Sequence, residues 1–308
     1  MNWTKIDTLG KGRAMGPSLV AGGDNLVGLI DGGGKCPAAV YRLPGGSNKH
    51  KLVGIKDKGA TESASDAIVL PPHVIWTTEE NGAIYQQTGD SFKCVWPRQK
   101  TKWSSMGIDS DEANWDCYAC SFEQKKNRSI ILKRDKATGM FTKIKDLSNF
   151  TAMGLSWAGT LGWFVYGSDG KYQYFRWHDK DWNVIETYPS DREGYYWHGA
   201  DWIDGEFYVT SRHDATLWHW TINGLSRVFR WTTASRIDRI IHYGVDRVYY
   251  PLDNGELWKS TRDMRGFALE KTWPGWEVRA MGKRAGADSL LVYINKEDNS
   301  KCECWEGK

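Results

Sequence analysis

Apolar and polar positions along this chain fall into short runs rich in aromatic and β-branched residues. The helical period of about 3.6 residues is nearly absent. The segment from Trp163, WFVYGSDGKYQYFRW, holds two such runs around Asp169-Gly170. RVYYPLDNGELWKS from Arg247 repeats the arrangement around Asn254-Gly255, and VIWTTEENGAIYQQ from Val74 does so around Asn81-Gly82. Asn-Gly and Asp-Gly accept the positive φ angles of a tight hairpin, so each segment predicts two antiparallel strands.

A short motif ending in glycine sets a longer period. It reads RAMG at Gly16, SSMG at Gly107, TAMG at Gly154, RAMG at Gly282 and, in a weaker copy, YWHG at Gly199. Gly107 to Gly154 is 47 residues and Gly154 to Gly199 is 45; the gaps of 91 and 83 residues elsewhere each hold two periods. The missing copies fall near Ala67 (SDAIVL) and Asp238 (SRIDRII). Seven starts at a spacing of about 44 residues, each followed by four strand patterns, predict an all-β fold, a seven-bladed β-propeller. As one domain over residues 1–308, its blades fall near 14–56, 66–99, 104–147, 151–189, 196–233, 235–274 and 277–308, the last with residues 2–10. The glycine before each innermost strand reads as packing near the axis, where backbones crowd.

The ends of the chain fit this count. The last repeat has patterns for about three strands, and the first residues carry one strand too many. WTKIDTL at residues 3–9 matches FTKIKDL at 141–147, and Trp3 precedes Met15 by twelve residues as Phe141 precedes Met153. Residues 3–9 therefore read as an outermost strand, expected beside the strand around Cys302 to Trp305, where it completes the last blade and closes the ring.

Composition narrows the function. The net charge of +3 is too small to argue for nucleic acid or an anionic membrane. No apolar stretch is long enough for a transmembrane helix, and the N-terminal residues have no signal-peptide core. The expected location is the cytoplasm or a virion. Six cysteines include CYAC at 117–120 and CEC at 302–304. In a strand Cys117 and Cys120 point to opposite faces, which suits chelation poorly, so the cysteines read as reduced and structural, with no metal or cofactor expected.

Nucleophile, P-loop and zinc-protease motifs are absent. A glycoside hydrolase would need carboxylates converging on the channel, and Asp109, Asp111, Asp201 and Asp238 are candidates without a shared motif. Eighteen tryptophans are the outlier, all but Trp3 at residue 76 or later. Mid-strand rings such as Trp163, Trp218, Trp220 and Trp258 read as wedges between blades. Rings in loops suit ligand stacking. In the fifth repeat the loop leading into the first strand brings Arg192, Tyr195, Tyr196 and Trp197, and the second-to-third hairpin brings Arg212, His213 and Asp214. A meander places both on one face, making this the densest polar-aromatic candidate for ligand binding.

The segments DNGELWKS and ENGAIYQQ and the leading strand WTKID resemble the repeats of tectonin- or tachylectin-type propeller lectins, with a Trp-led outer strand and a glycine-led hairpin. The first repeat, GLIDGGGKCPAAVYRL, has no tryptophan. The resemblance implies a propeller and non-enzymatic binding of surface carbohydrate. Similar modules occur in phage tails, so assembly into a virion or host-attachment apparatus is a further expectation. The alternative is a protein-docking scaffold within a larger assembly.

Overall fold

The computed structural model describes residues 1–10, 13–30, 39–53, 64–78, 82–97, 103–111, 114–123, 125–169, 171, 173–189, 197–211, 214–234, 236–237, 241–243 and 246–308. Seven four-stranded antiparallel sheets form a closed ring, a seven-bladed β-propeller. Blade I holds Arg13–Ala21, Asp24–Ile30, Ala39–Leu43 and Lys51–Leu52 from axis to rim. Blade II holds Ala64–Leu70, His73–Thr78, Ile84–Thr88 and Ser91–Trp96; blade III holds Trp103–Asp111, Asp116–Glu123, Arg128–Arg134 and Phe141–Ser148. Blade IV follows with Thr151–Trp157, Trp163–Ser168, Gln173–His178 and Val184–Pro189, and blade V with Trp197–Ile203, Glu206–Ser211, Thr216–Thr221 and Gly224–Arg230. Blade VI holds Ile241–Tyr243, Arg247–Pro251, Glu256–Thr261 and Ala268–Thr272; blade VII holds Trp276–Lys283, Leu290–Lys296 and Cys302–Gly307, completed by Trp3–Gly10.

The closing strand pairs as the sequence predicts, with Trp3 opposite Gly307 and Asp7 opposite Cys304. The seam to blade I is polar and buried. Asp7 accepts from the His50 backbone amide at 2.7 Å, and the His50 ring lies 3.0 Å from Asp7 and 3.1 Å from the Tyr293 hydroxyl. Burial lowers the His50 pKa against the pull of Asp7. Beside this, Arg284 donates to Glu306 at 2.6 Å and to Ser47 O and Asn48 Oδ1 of blade I at 2.8 and 2.9 Å.

The recurring motif marks a β-bulge. In blades III, IV and V the residue before the glycine (Met106, Met153, His198) drops out of the pairing between first and second strands. The glycine then meets the neighbouring blade. A Cβ on Gly107 would sit 2.6 Å from Gly154 Cα, and one on Gly282 would sit 2.1 Å from Ser18 O. The expected close approach of backbones is therefore real. The first strand of blade VI is described over Ile241–Tyr243, and Ile237 makes a single bridge to Leu252.

Apolar packing forms one cluster at each of the seven blade interfaces. Trp163 is buried between blades III and IV and Trp220 between IV and V, while Trp218 and Trp258 are partly buried in such clusters, as expected of mid-strand rings. Cys117 packs toward blade II and Cys120 toward blade IV, on opposite faces of their strand. Cys302 and Cys304 share one buried cluster at the seam, and burial raises both thiol pKa values, that of Cys302 to about 12. Among the described residues no helix is long and apolar enough to cross a membrane.

Candidate docking face

The meander gives the ring two unlike faces. The upper face carries the connections between blades and the second-to-third hairpins. The lower face carries the first-to-second and third-to-outer hairpins. Of the sequence candidates, Arg192, Tyr195, Tyr196, Arg212 and His213 lie outside the described residues, as does Asp238. Trp197 opens the first strand of blade V opposite Ser211, and Ser211 pairs with Thr216 across the next hairpin. The backbone thus brings Trp197 to the same end of the blade as Asp214, whose carboxylate accepts from the Ser211 hydroxyl.

The carboxylates of the inner strands have structural work. Asp109 accepts from the Ser110 amide at 2.8 Å and, across the interface, from the Trp157 amide of blade IV at 2.8 Å. Asp66 does the same one blade earlier, taking the Ala67 amide at 2.9 Å and the Ile108 amide of blade III at 3.3 Å. Asp111 accepts from Asn114 Nδ2 at 2.8 Å within its own hairpin. These contacts join blades and shape turns.

The lower face holds a feature that the sequence reading passed over. Among the tryptophans with described side chains only Trp115 and Trp202 are exposed, and both lie beside first-to-second hairpins on this face. Val20, next to last in the first strand of blade I, and Ile222, in a turn of blade V, are exposed and share it. Beside Trp115 lies a cleft of about 460 Å³ between blades II and III. One wall is the turn of blade II, Leu70, Pro71, Pro72 and His73, with Pro71-Pro72 in the cis form. The other is Asn114 and Trp115 of blade III, with Arg134 and Lys136 from the end of its third strand.

Each polar group in the cleft is held from behind. His73 Nδ1 lies 2.8 Å from Thr88 Oγ1. Arg134 reaches across the interface to Gln86 Oε1 at 2.9 Å, while its Nε is buried without a hydrogen-bond partner. Lys136 donates to Asn114 O at 2.5 Å and lies 2.8 Å from Asp116, which also binds Lys133 at 2.7 Å. Burial would raise the Asp116 pKa, but the two lysines hold it below the ordinary carboxylate value.

Trp115 stands out for its backbone. Its φ is +55°, in the left-handed region, where its amide closes the hairpin onto Asp111 O at 2.6 Å. Such a conformation costs a bulky residue roughly 1 kcal/mol or more. Trp182 also has a positive φ, +64°, but it is buried and stacks on Trp163 with centroids 5.0 Å apart, which offsets the cost. Trp115 is 57% exposed and has no such compensation. The sequence signal was available: a tryptophan inside the polar turn DSDEANWD, away from any strand pattern.

No family model and no curated protein matches the chain. Solved structures do. Two structures of BBS1N in complex with ARL6DN, soaked with mercury and with lead, superpose with TM-scores of 0.67 and 0.63. Each covers 98% of this chain and 96% of that chain at 14% sequence identity. A likeness at that identity is one of fold. The lectin resemblance finds no support among the family models.

Proposed function

We propose that this propeller is a non-enzymatic protein-docking scaffold that engages its partner through the lower face. The observation that carries this is Trp115, a large ring held exposed in a costly backbone conformation that folding does not reward. Backbone cost concentrated at one surface residue points to a role outside the fold. Trp202, Ile222 and Val20 extend the exposed apolar surface over the same face, and exposed tryptophans are frequent anchors of interfaces. The fold is shared with BBS1N, solved in complex with ARL6DN, so a propeller of this shape is compatible with docking another protein.

Surface carbohydrate, expected from the lectin resemblance, is the competing reading, with Arg192, Tyr195, Tyr196, Trp197, Arg212, His213 and Asp214 as its expected site. Assembly into a virion is one setting in which docking would operate. Affinity capture with wild type and with the double variant Trp115→Asn/Trp202→Ser, run beside a glycan array, separates the readings. Docking predicts a discrete protein partner that the double variant loses. Glycan binding by both proteins, with the captured protein set unchanged, overturns it.

A further inference from the structure

We propose that the cleft between blades II and III anchors an acidic peptide segment, taking one large apolar side chain against Trp115 and one carboxylate against Arg134 and Lys136. This deepens the docking reading and rests on it. The walls supply the apolar half. Leu70, Pro71 and Pro72 face the cleft from one hairpin and the Trp115 indole from the other. At about 460 Å³ the cleft is of a size that encloses a few side chains.

Charge supplies the other half. Among the described residues two cations line the cleft and no carboxylate does. Asp116, which balances Lys136, is outside the lining, and Arg134 keeps a buried Nε without a hydrogen-bond partner. An incoming carboxylate would meet guanidinium and ammonium groups already positioned by a hydrogen bond each, to Gln86 Oε1 and to Asn114 O. The Asn114 backbone carbonyl is already taken by Lys136, and the charged donors of the lining favour a carboxylate over a neutral hydroxyl. A chain bearing one acidic and one apolar side chain fits both halves at once.

The backbone at Trp115 supports the same assignment. Asn suits the +55° φ and could close this hairpin with less cost than a tryptophan. The ring stands where it can cover a ligand.

The test pans a random dodecapeptide library on the immobilised full chain, subtracting with Trp115→Asn. Enriched sequences are expected to pair Asp or Glu with Leu, Phe or Trp. The best peptide, labelled and titrated by fluorescence anisotropy, should lose about tenfold or more in affinity in both Trp115→Asn and Arg134→Gln, and should weaken as salt rises. Unchanged melting temperatures keep these losses from being read as unfolding. Enrichment of neutral peptides, or of none, overturns the proposal. Loss of binding in Trp202→Ser but not in the two cleft variants also overturns it, while leaving the docking face standing. Binding of sialyllactose that both cleft variants abolish overturns the peptide assignment in favour of a sugar carboxylate.

Discussion

Replacing Arg284 by Met tests how the ring is held at its seam. Arg284 leaves the first-to-second hairpin of blade VII, pairs with buried Glu306, and donates to Ser47 and Asn48 of blade I. The two side chains are 10% and 5% exposed, so removing the guanidinium strands a carboxylate in the interior. Breaking a buried pair from one side costs about 3–5 kcal/mol. Ser289 still donates to Glu306 at 2.6 Å, and Lys308 lies 3.5 Å from it. The expected loss is therefore near the lower end, about 3 kcal/mol. With an unfolding entropy of roughly 2 cal/mol/K per residue, that loss lowers the melting temperature by about 5 °C for this chain. The double variant Arg284→Met/Glu306→Met should recover most of the loss, because neither charge is then buried alone. Thermal melts followed by far-UV and near-UV circular dichroism measure both. A single variant that melts like wild type, or a double variant that loses as much as the sum of the singles, would refute the reasoning.

Deleting residues 1–10 should cost far more than trimming a frayed end, because it removes the closing strand, the buried Leu9 side chain and the Asp7–His50 contact; an unchanged melt would mean the ring closes by other means. Acid should weaken the fold in a set window. Burial holds His178 at a pKa of about 4 against its ordinary 6.5, so the unfolded chain binds the extra proton and stability falls as pH drops from about 6.5 to about 4. That shift corresponds to about 3 kcal/mol; His50, lowered by burial too, acts in the same direction, and urea titrations across this range should show the loss. Trp115→Asn should be neutral or stabilise by about 0.5–1 kcal/mol by relieving the left-handed backbone, whereas Trp182→Ala should destabilise by about 3 kcal/mol or more through lost stacking and burial; denaturant midpoints check both. Gly282→Ala should destabilise markedly, since its Cβ would lie 2.1 Å from a backbone oxygen of blade I, and a melting temperature equal to wild type would refute that.

The sequence by itself determined the repeat, the hairpins and the closing strand. Those features follow from local rules: turn chemistry at Asn254-Gly255, alternation within each run, and a motif glycine in five of the seven repeats. Even the outer-strand role of residues 3–9 was legible, because FTKIKDL repeats it in blade III. The sequence could not tell which carboxylates serve the fold. Asp109 looks like a channel acid until its partner, the amide of Trp157 48 residues later, is seen beside it. Nor could it separate the tryptophans. Trp115 and Trp182 both sit in turns with positive φ, and only the folded blade decides that one is stacked on Trp163 and the other exposed. The cleft is likewise a product of tertiary structure. Its walls come from hairpins about forty residues apart that meet because consecutive blades stack, and its cations are oriented by Gln86 in one blade and Asn114 in the next. Pairing within a blade is written in adjacent residues; what faces solvent between two blades depends on how their separate turns come to rest against each other.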